Sequence, residues 1–383
     1  MRGFCVTVAL LAFGTALGSP AAATPQRLDL YRGSLFTSSR ITGLGGAFVG
    51  VGLGIDGVYR NPAALAARAD DGTSWFDVDF TLDWFLASGD DIDFDADGVA
   101  AGASVASKAY HLGLSFQFDT LALGVLAALE SDEATTGALS STTAAADVLI
   151  GGAWSLDRGR WIIGGGAAFA ALDLTRTRFP GSEDTPIIGK PPPLQGLSFD
   201  VGFLHRPRAS DWRLGGRLRG PITLGGGGTL VEGHVPWQAS LGASVFFGAD
   251  PDRRYNPPHR ARLAPHRDRR YLLVSTEVVL VGPTADGVSV EGFVQGAALP
   301  SGRRLSLQLH AGAEGELFEN RLRTRVGTYF EPCRLASGPL GRLHVTGGVE
   351  LRLFELLFDW KATFAFDVAN GFQNLLFGVG FWK

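Results

Sequence analysis

The sequence predicts an all-β protein, a transmembrane antiparallel β-barrel of about 14 strands. Three observations carry that expectation. From Ser74 to the C-terminus, apolar and polar residues alternate with a period of two in run after run. Several of these runs are about ten residues long, the length at which a tilted strand crosses a bilayer. Aromatic residues fall at run ends, as at membrane interfaces: Trp84 and Tyr110 at one rim, Trp154 and Trp161 at the other. Beyond the first residues there is no apolar stretch of helix-spanning length, so helical spans are excluded. The chain has 383 residues, 53 of them glycine, and a net charge of -4, which gives no reason to expect a nucleic-acid partner.

Residues 1–23 read as a signal peptide. Arg2 supplies the positive start, Val6 to Leu17 is mostly apolar, and Ala21-Ala22-Ala23 fits a small-residue cleavage site. Cys5 would leave with it, so the mature chain keeps Cys333 alone and forms no intramolecular disulfide.

Residues 24–72 precede the alternating runs. Their centre is Gly45-Gly46-Ala47-Phe48-Val49, leading to Tyr59-Arg60-Asn61-Pro62-Ala63-Ala64-Leu65. The glycines allow close backbone packing, and Asn61 before a proline is biased toward extended or turn geometry. The order Gly-Gly-Ala-Phe-Val, an acidic residue (Asp56), then Tyr-x-Asn-Pro-Ala resembles the N-terminal hatch of the FadL family, outer-membrane transporters for long-chain fatty acids and other hydrophobic compounds. The family pattern commonly has two acidic residues, a Trp before the Asn and a Gly after Asn-Pro-Ala. Here Asp56 stands alone, with Arg60 and Ala64 at the other two places. The resemblance implies a hatch over residues 24–72 plugging a barrel over residues 73–383. It also implies a ligand-binding or gating role for Gly45, Gly46, Ala47, Phe48, Asn61, Pro62 and Ala63.

The first strand reads Phe76, Val78, Phe80, Leu82 and Trp84 on one face and Asp77, Asp79, Thr81 and Asp83 on the other. The second sets Tyr110, Leu112, Leu114, Phe116 and Phe118 against His111, Gly113, Ser115 and Gln117. Outer-membrane barrels have short periplasmic turns and long outer loops. Asp119-Thr120 and Ser155 to Arg160 read as short turns, whereas Ala87 to Lys108, Ser131 to Thr143 and Leu174 to Leu194 read as long loops. A first count gives an odd number of strands, which two periplasmic termini forbid. Val288 to Gly296 is the weakest candidate; as a hairpin arm inside an outer loop it restores parity at about 14, the number the resemblance also implies. Cys333 is then expected in an outer loop after strand twelve.

Further along, His310-Ala311-Gly312-Ala313-Glu314 and Leu322-Arg323-Thr324-Arg325-Val326-Gly327-Thr328-Tyr329 are similar to the family's Gly-x-Glu and Arg-x-Gly-x-Tyr strand pair. The chain closes on Phe377, Val379, Phe381 and Trp382, an aromatic end suited to the barrel-insertion machinery. Asp252 to Arg270 holds seven arginines, two histidines and three prolines, an unusually long periplasmic turn.

Zinc-ligand spacing, phosphate loops and nucleophile elbows are absent, so neither an enzyme, a metal nor a cofactor is expected. The inward face is charged. Arg217, Arg219, Arg323 and Arg325 are candidates either for bracing ion pairs or for binding a substrate carboxylate. Two functions stay open. One is passage of hydrophobic small molecules, such as long-chain fatty acids, across a Gram-negative outer membrane, with membrane lipid and ligand as partners. The other is a non-transporting scaffold like the PorV-type proteins of secretion systems.

Overall fold

The computed structural model describes residues 26–382 apart from 32, 34, 68–74, 91–92, 94–95, 97–103, 137–138, 179–193, 226–230, 249–253, 257–269, 291–298 and 320. The expected signal segment, 1–23, lies outside the described residues. In chain order the strands are β1 (Gln26–Asp29), β2 (Phe76–Asp90), β3 (Ser104–Phe118), β4 (Leu121–Thr136), β5 (Leu139–Leu156), β6 (Trp161–Arg178), β7 (Leu194–His205), β8 (Trp212–Arg219), β9 (Ile222–Leu224), β10 (Val231–Val235), β11 (Gln238–Gly248), β12 (Tyr271–Val281), β13 (Gly287–Ser289), β14 (Ser306–Phe318), β15 (Leu322–Pro332), β16 (Gly341–Leu356), β17 (Phe358–Ala369) and β18 (Phe372–Trp382).

Fourteen of them form a closed antiparallel barrel in which β18 pairs with β2. Closure leaves no edge, which a lipid environment demands of a sheet. The pleat follows the alternation. Asp77, Asp79, Thr81 and Asp83 of β2 are buried inside, and so are His111, Ser115 and Gln117 of β3. Tyr110, Leu112 and Phe116 face outward, as do Leu241 and Phe247 of β11 and Leu307 and Leu309 of β14. An exposed apolar surface of this extent around a closed barrel is a lipid-facing one.

The strands run further than the sequence suggests. Trp84 and Tyr110 are cross-strand partners, yet β2 continues to Asp90 and β3 begins at Ser104. The segment read as a loop, Ser131 to Thr143, is mostly sheet, with Ser131 paired to Ala144 and Glu133 to Thr142. Beyond the aromatic level both faces meet water, so polar side chains point either way, the period of two fades, and only the backbone ladder remains. Val288 is not a wall strand: β13 pairs in parallel with β1, and residues 291–296 of that candidate lie outside the described residues. Cys333 follows β15, the eleventh strand of the barrel and not the twelfth, so it stands at the end where the long connections lie.

Inside the barrel lies a second sheet, in the order β13-β1-β10-β9. It is built from the N-terminal strand and from chain that leaves the wall after β8 and β12. Asp29 anchors it, accepting hydrogen bonds from Thr284 and Ser301 and an ion pair from Arg334 (2.8 Å). The rest of the N-terminal segment forms α1 (Ser39–Gly43), α2 (Gly54–Gly57) and a 3-10 helix, Pro62–Ala66, all buried.

Candidate functional site

Residues 35–67 fill the barrel. Leu44, Ala47, Phe48, Val49, Ile55, Asn61, Ala63 and Ala64 are fully buried, and their neighbours come from strands all round the wall. Gly45 and Gly46 have φ of 61° and 79°, the left-handed region that glycine enters without cost. They turn the chain out of α1 flat against the wall. Gly312 of β14 and Gly327 of β15 are cross-strand partners there, and a Cβ on either would collide with the backbone of Leu44 or Gly45. The same device recurs twice. Gly215 and Gly242, also paired, receive Val49, and Gly164 and Gly202 receive Asn61 and Pro62. Three facets without side chains thus seat the interior segment, against its backbone and against the Val49, Asn61 and Pro62 side chains.

Asn61 ties the segment together. It is fully buried, caps the 3-10 helix by accepting from the Ala63 N–H (3.1 Å), and donates to the carbonyls of Val49 and Phe203 (2.9 Å each). Glu277 of β12 is a second tie that the sequence reading missed. One carboxylate oxygen accepts from the N–H groups of Phe48 (2.9 Å) and Val49 (2.8 Å), and the other pairs with Arg60 (2.6 Å). Arg60, a departure from the hatch pattern, is therefore matched by a carboxylate in the wall. The signal was a lone acid on the inward face of an otherwise apolar strand. His310 Nδ1–H donates to the Gly45 carbonyl (2.6 Å), and Ser39 N–H donates to Asp83 (3.0 Å). Lys361 pairs with Asp56 at 2.8 Å. Burial works against ionisation of Asp56, but the Lys361 ammonium more than offsets it and holds the carboxyl below its ordinary range.

The second sequence match becomes a spatial unit. Glu314 and Arg325 face each other across β14 and β15 and pair at 2.6 Å, with His310 stacked on Tyr329 (5.3 Å) one facet away. Arg325 also holds Glu350 (2.5 Å), Arg323 joins Glu350 (3.0 Å), and Arg40 of α1 reaches Glu314 (3.4 Å). Of the other two candidate arginines, Arg217 holds Asp200 and Arg219 holds Asp147 (2.6 Å). All four therefore brace the wall; Arg323, with 37% of its side chain exposed, is the most accessible.

One end of the seat is closed from below. Arg213 of β8 donates to the Val51 carbonyl, to Asn256 Oδ1 and to the Tyr255 carbonyl, and its guanidinium lies 3.6 Å from the Tyr255 ring centroid. Tyr255 stacks on Phe246, and Ser244 bridges its hydroxyl to the Gly50 carbonyl. Part of the arginine-rich turn thus folds up under the interior segment; residues 257–269 of it lie outside the described residues.

Against β4 to β7 the contact is of another kind. Ile55, Val58, Ala63, Leu65 and Ala66 pack on Ala122, Leu126, Leu149, Ala153, Ile162, Ala168 and Leu172, and the inner sheet closes over them with Leu28, Ile222 and Leu224. Among the described residues this is the most extensive of three buried apolar clusters inside the barrel; the others surround Phe48 and Phe85.

No family model matches the sequence, and no curated protein matches it. Solved structures do share the fold. A FadL homologue from Pseudomonas aeruginosa superimposes with a TM-score of 0.57 at 12% identity, covering 90% of this chain and 97% of that one. A mutant of the TodX monoaromatic hydrocarbon channel gives 0.58 at 14%, covering 90% and 98%, and the CymD monoaromatic hydrocarbon channel 0.56 at 12%, covering 91% and 97%. The barrel has the FadL-type fold, that of a Gram-negative outer-membrane protein.

Proposed function

We propose that this chain is an outer-membrane channel for hydrophobic small molecules, with residues 24–72 acting as the hatch that controls passage. The observation that carries the reading is the apolar region between the interior segment and β4 to β7. A barrel of this size encloses more space than its own side chains fill. A lumen meant for sugars or ions would stay polar throughout, whereas an apolar seam lined by Leu65, Leu126, Leu149 and Leu172 suits a hydrocarbon body. The fold shared with hydrocarbon channels points the same way. Gly45, Gly46, Ala47, Phe48, Asn61, Pro62 and Ala63 hold the hatch in register. Long-chain fatty acids belong to the ligand range on this reading, with Arg323 the wall cation best exposed to meet a carboxylate.

The test is uptake of a radiolabelled long-chain alkane, an aromatic hydrocarbon and a long-chain fatty acid by cells producing the parent chain or a chain lacking residues 45–65. Heat-shifted gel mobility checks that each barrel is folded. The parent should take up hydrophobic compounds selectively, and the folded deletion should lose selectivity and admit small polar solutes. A folded parent that takes up nothing across the panel overturns the channel reading in favour of a scaffold.

A further inference from the structure

We infer that the inner wall around Asn374 and Ser107 is a subsite for the neutral hydrogen-bonding head of an otherwise hydrophobic ligand: an alcohol, aldehyde or ketone, not a carboxylate. The inference rests on the channel reading and narrows it.

Asn374 lies on the inner face of β18 between Phe372 and Leu376. Its side chain is 1% exposed, yet among the described residues neither its amide nitrogen nor its amide oxygen has a hydrogen-bond partner. Ser107, on the inner face of β3, is equally buried, and its hydroxyl is likewise without a partner among the described residues. Only β2 runs between them. Leu375 pairs with Leu86 and Leu86 with Lys108, so one step along each flanking strand brings Asn374 and Ser107 to the same level of the wall. A buried amide with no bond is among the costliest features a fold carries, and it persists where something else supplies the bonds.

The nearest carboxylate is already engaged. Asp367, the cross-strand partner of Asn374, accepts from the Tyr329 hydroxyl on one oxygen (2.6 Å) and from His344 Nδ1 on the other (2.7 Å). The remaining surroundings are apolar. Phe85, Ala109, Ala365 and Leu376 form one buried cluster, with Phe36 of the interior segment packed on it. Phe36 stands 6.2 Å from Phe85 and edge-on to Phe372 at 6.4 Å. A ligand lying here would rest its body on aromatic faces and present its head to one donor, one acceptor and a hydroxyl.

Charge decides the class of head. Asp367 is beside the amide and would repel an anion. Arg342, the cation over the Phe372 ring, holds Glu331 (2.6 Å) and the Asp93 carbonyl; its Nη2 donor is left over among the described residues, but Glu331, Asp93 and Asp367 outnumber that cation. A carboxylate would be desolvated beside a like charge, while a hydroxyl or carbonyl meets no such penalty.

The experiment uses purified full-length chain in detergent at pH 8 and three radiolabelled ligands with the same body: decane, decan-1-ol and decanoate. Equilibrium binding is measured for the parent, Asn374→Leu and Ser107→Ala, each checked for folding by heat-shifted mobility. Decanoate binding should change by less than about twofold in Asn374→Leu, since Arg323 and not Asn374 is placed to meet the carboxylate. Asn374→Leu should weaken decan-1-ol about tenfold while leaving decane within about twofold, and Ser107→Ala should weaken decan-1-ol about threefold. If Asn374→Leu fails to fold, the Ser107→Ala ratio decides. Equal loss for decane and decan-1-ol, no loss for either, or decanoate weakened by Asn374→Leu as much as decan-1-ol overturns the subsite, with ordered water as the occupant, and leaves the channel reading standing. A parent that binds none of the three overturns both.

Discussion

The interior segment is held in two different ways on opposite sides of the barrel. From β12 round to β2 the wall grips it with charges: Glu277 on Arg60, Glu314 on Arg40, Lys361 on Asp56, Asp83 on Ser39. Against β4 to β7 it meets alanine, leucine and isoleucine, and among the described residues its one polar tie there is Asn61 to the Phe203 carbonyl. Buried ion pairs are directional and are costly to break singly, so they fix position. Apolar contacts are non-directional and scale with area, so they tolerate a shift or an inserted hydrocarbon. The difference teaches where movement can be accommodated: the interior segment is hung from one wall and rests against the other.

The comparison breaks first on Glu314. Glu314→Ala strips a carboxylate from between Arg40, Arg325 and Tyr271, taking the ion-pair partner from buried Arg40 and leaving Arg325 with Glu350 alone. The expected loss is about 3–5 kcal/mol, read as the largest fall in the temperature at which the folded gel band disappears. A fall no larger than that for an apolar-side truncation sinks the distinction.

Asn61→Ala sharpens it, because Asn61 is the polar exception on the apolar side. The change leaves two carbonyls and one N–H without their partner, at a cost of about 2–3 kcal/mol. Uptake of hydrophobic compounds should change while the barrel still assembles; unaltered uptake with a normal barrel counts against a hatch role for this bend.

Leu65→Ala should cost about 2 kcal/mol, the low end for a buried leucine, because the small residues around it can close on the gap. Thermal unfolding in detergent measures the cost. A value near that of Glu314→Ala shows a rigid contact and removes the proposed seam.

The smallest effect concerns orientation. A membrane-impermeant thiol reagent should modify Cys333 on intact cells and leave stability unchanged. Labelling that appears only after the outer membrane is opened reverses the barrel and places the charged grip at the other end.

Much of this was legible beforehand. The alternation at Phe76 to Trp84 gave the wall its inside and outside, because side chains on a strand point to alternate faces. The strand ends were not: past Trp84 and Tyr110 both faces see water, and the pattern disappears although the sheet continues. The Asn61 tie was anticipated from Asn-Pro chemistry, and its partners, Val49 and Phe203, were not. Gly312 and Gly327 were noticed as parts of a motif. That they form one bare facet beneath Leu44 and Gly45 depends on the register of β14 and β15, which no local pattern encodes.

By itself the sequence determined what depends on neighbours along the chain: strand periodicity, close backbone packing at Gly45 and Gly46, the bend at Asn61, and a charged inner face. Tertiary structure alone decided which charges meet. Arg217, Arg219, Arg323 and Arg325 read as braces or as ligand sites, and the folded barrel set Asp200, Asp147, Glu350 and Glu314 against them. The physical reason is range. A strand's period is fixed over a few residues, whereas a buried charge finds its counter-ion wherever the folded backbone brings one within contact, from 11 residues away for Glu314 and Arg325 to 305 for Asp56 and Lys361.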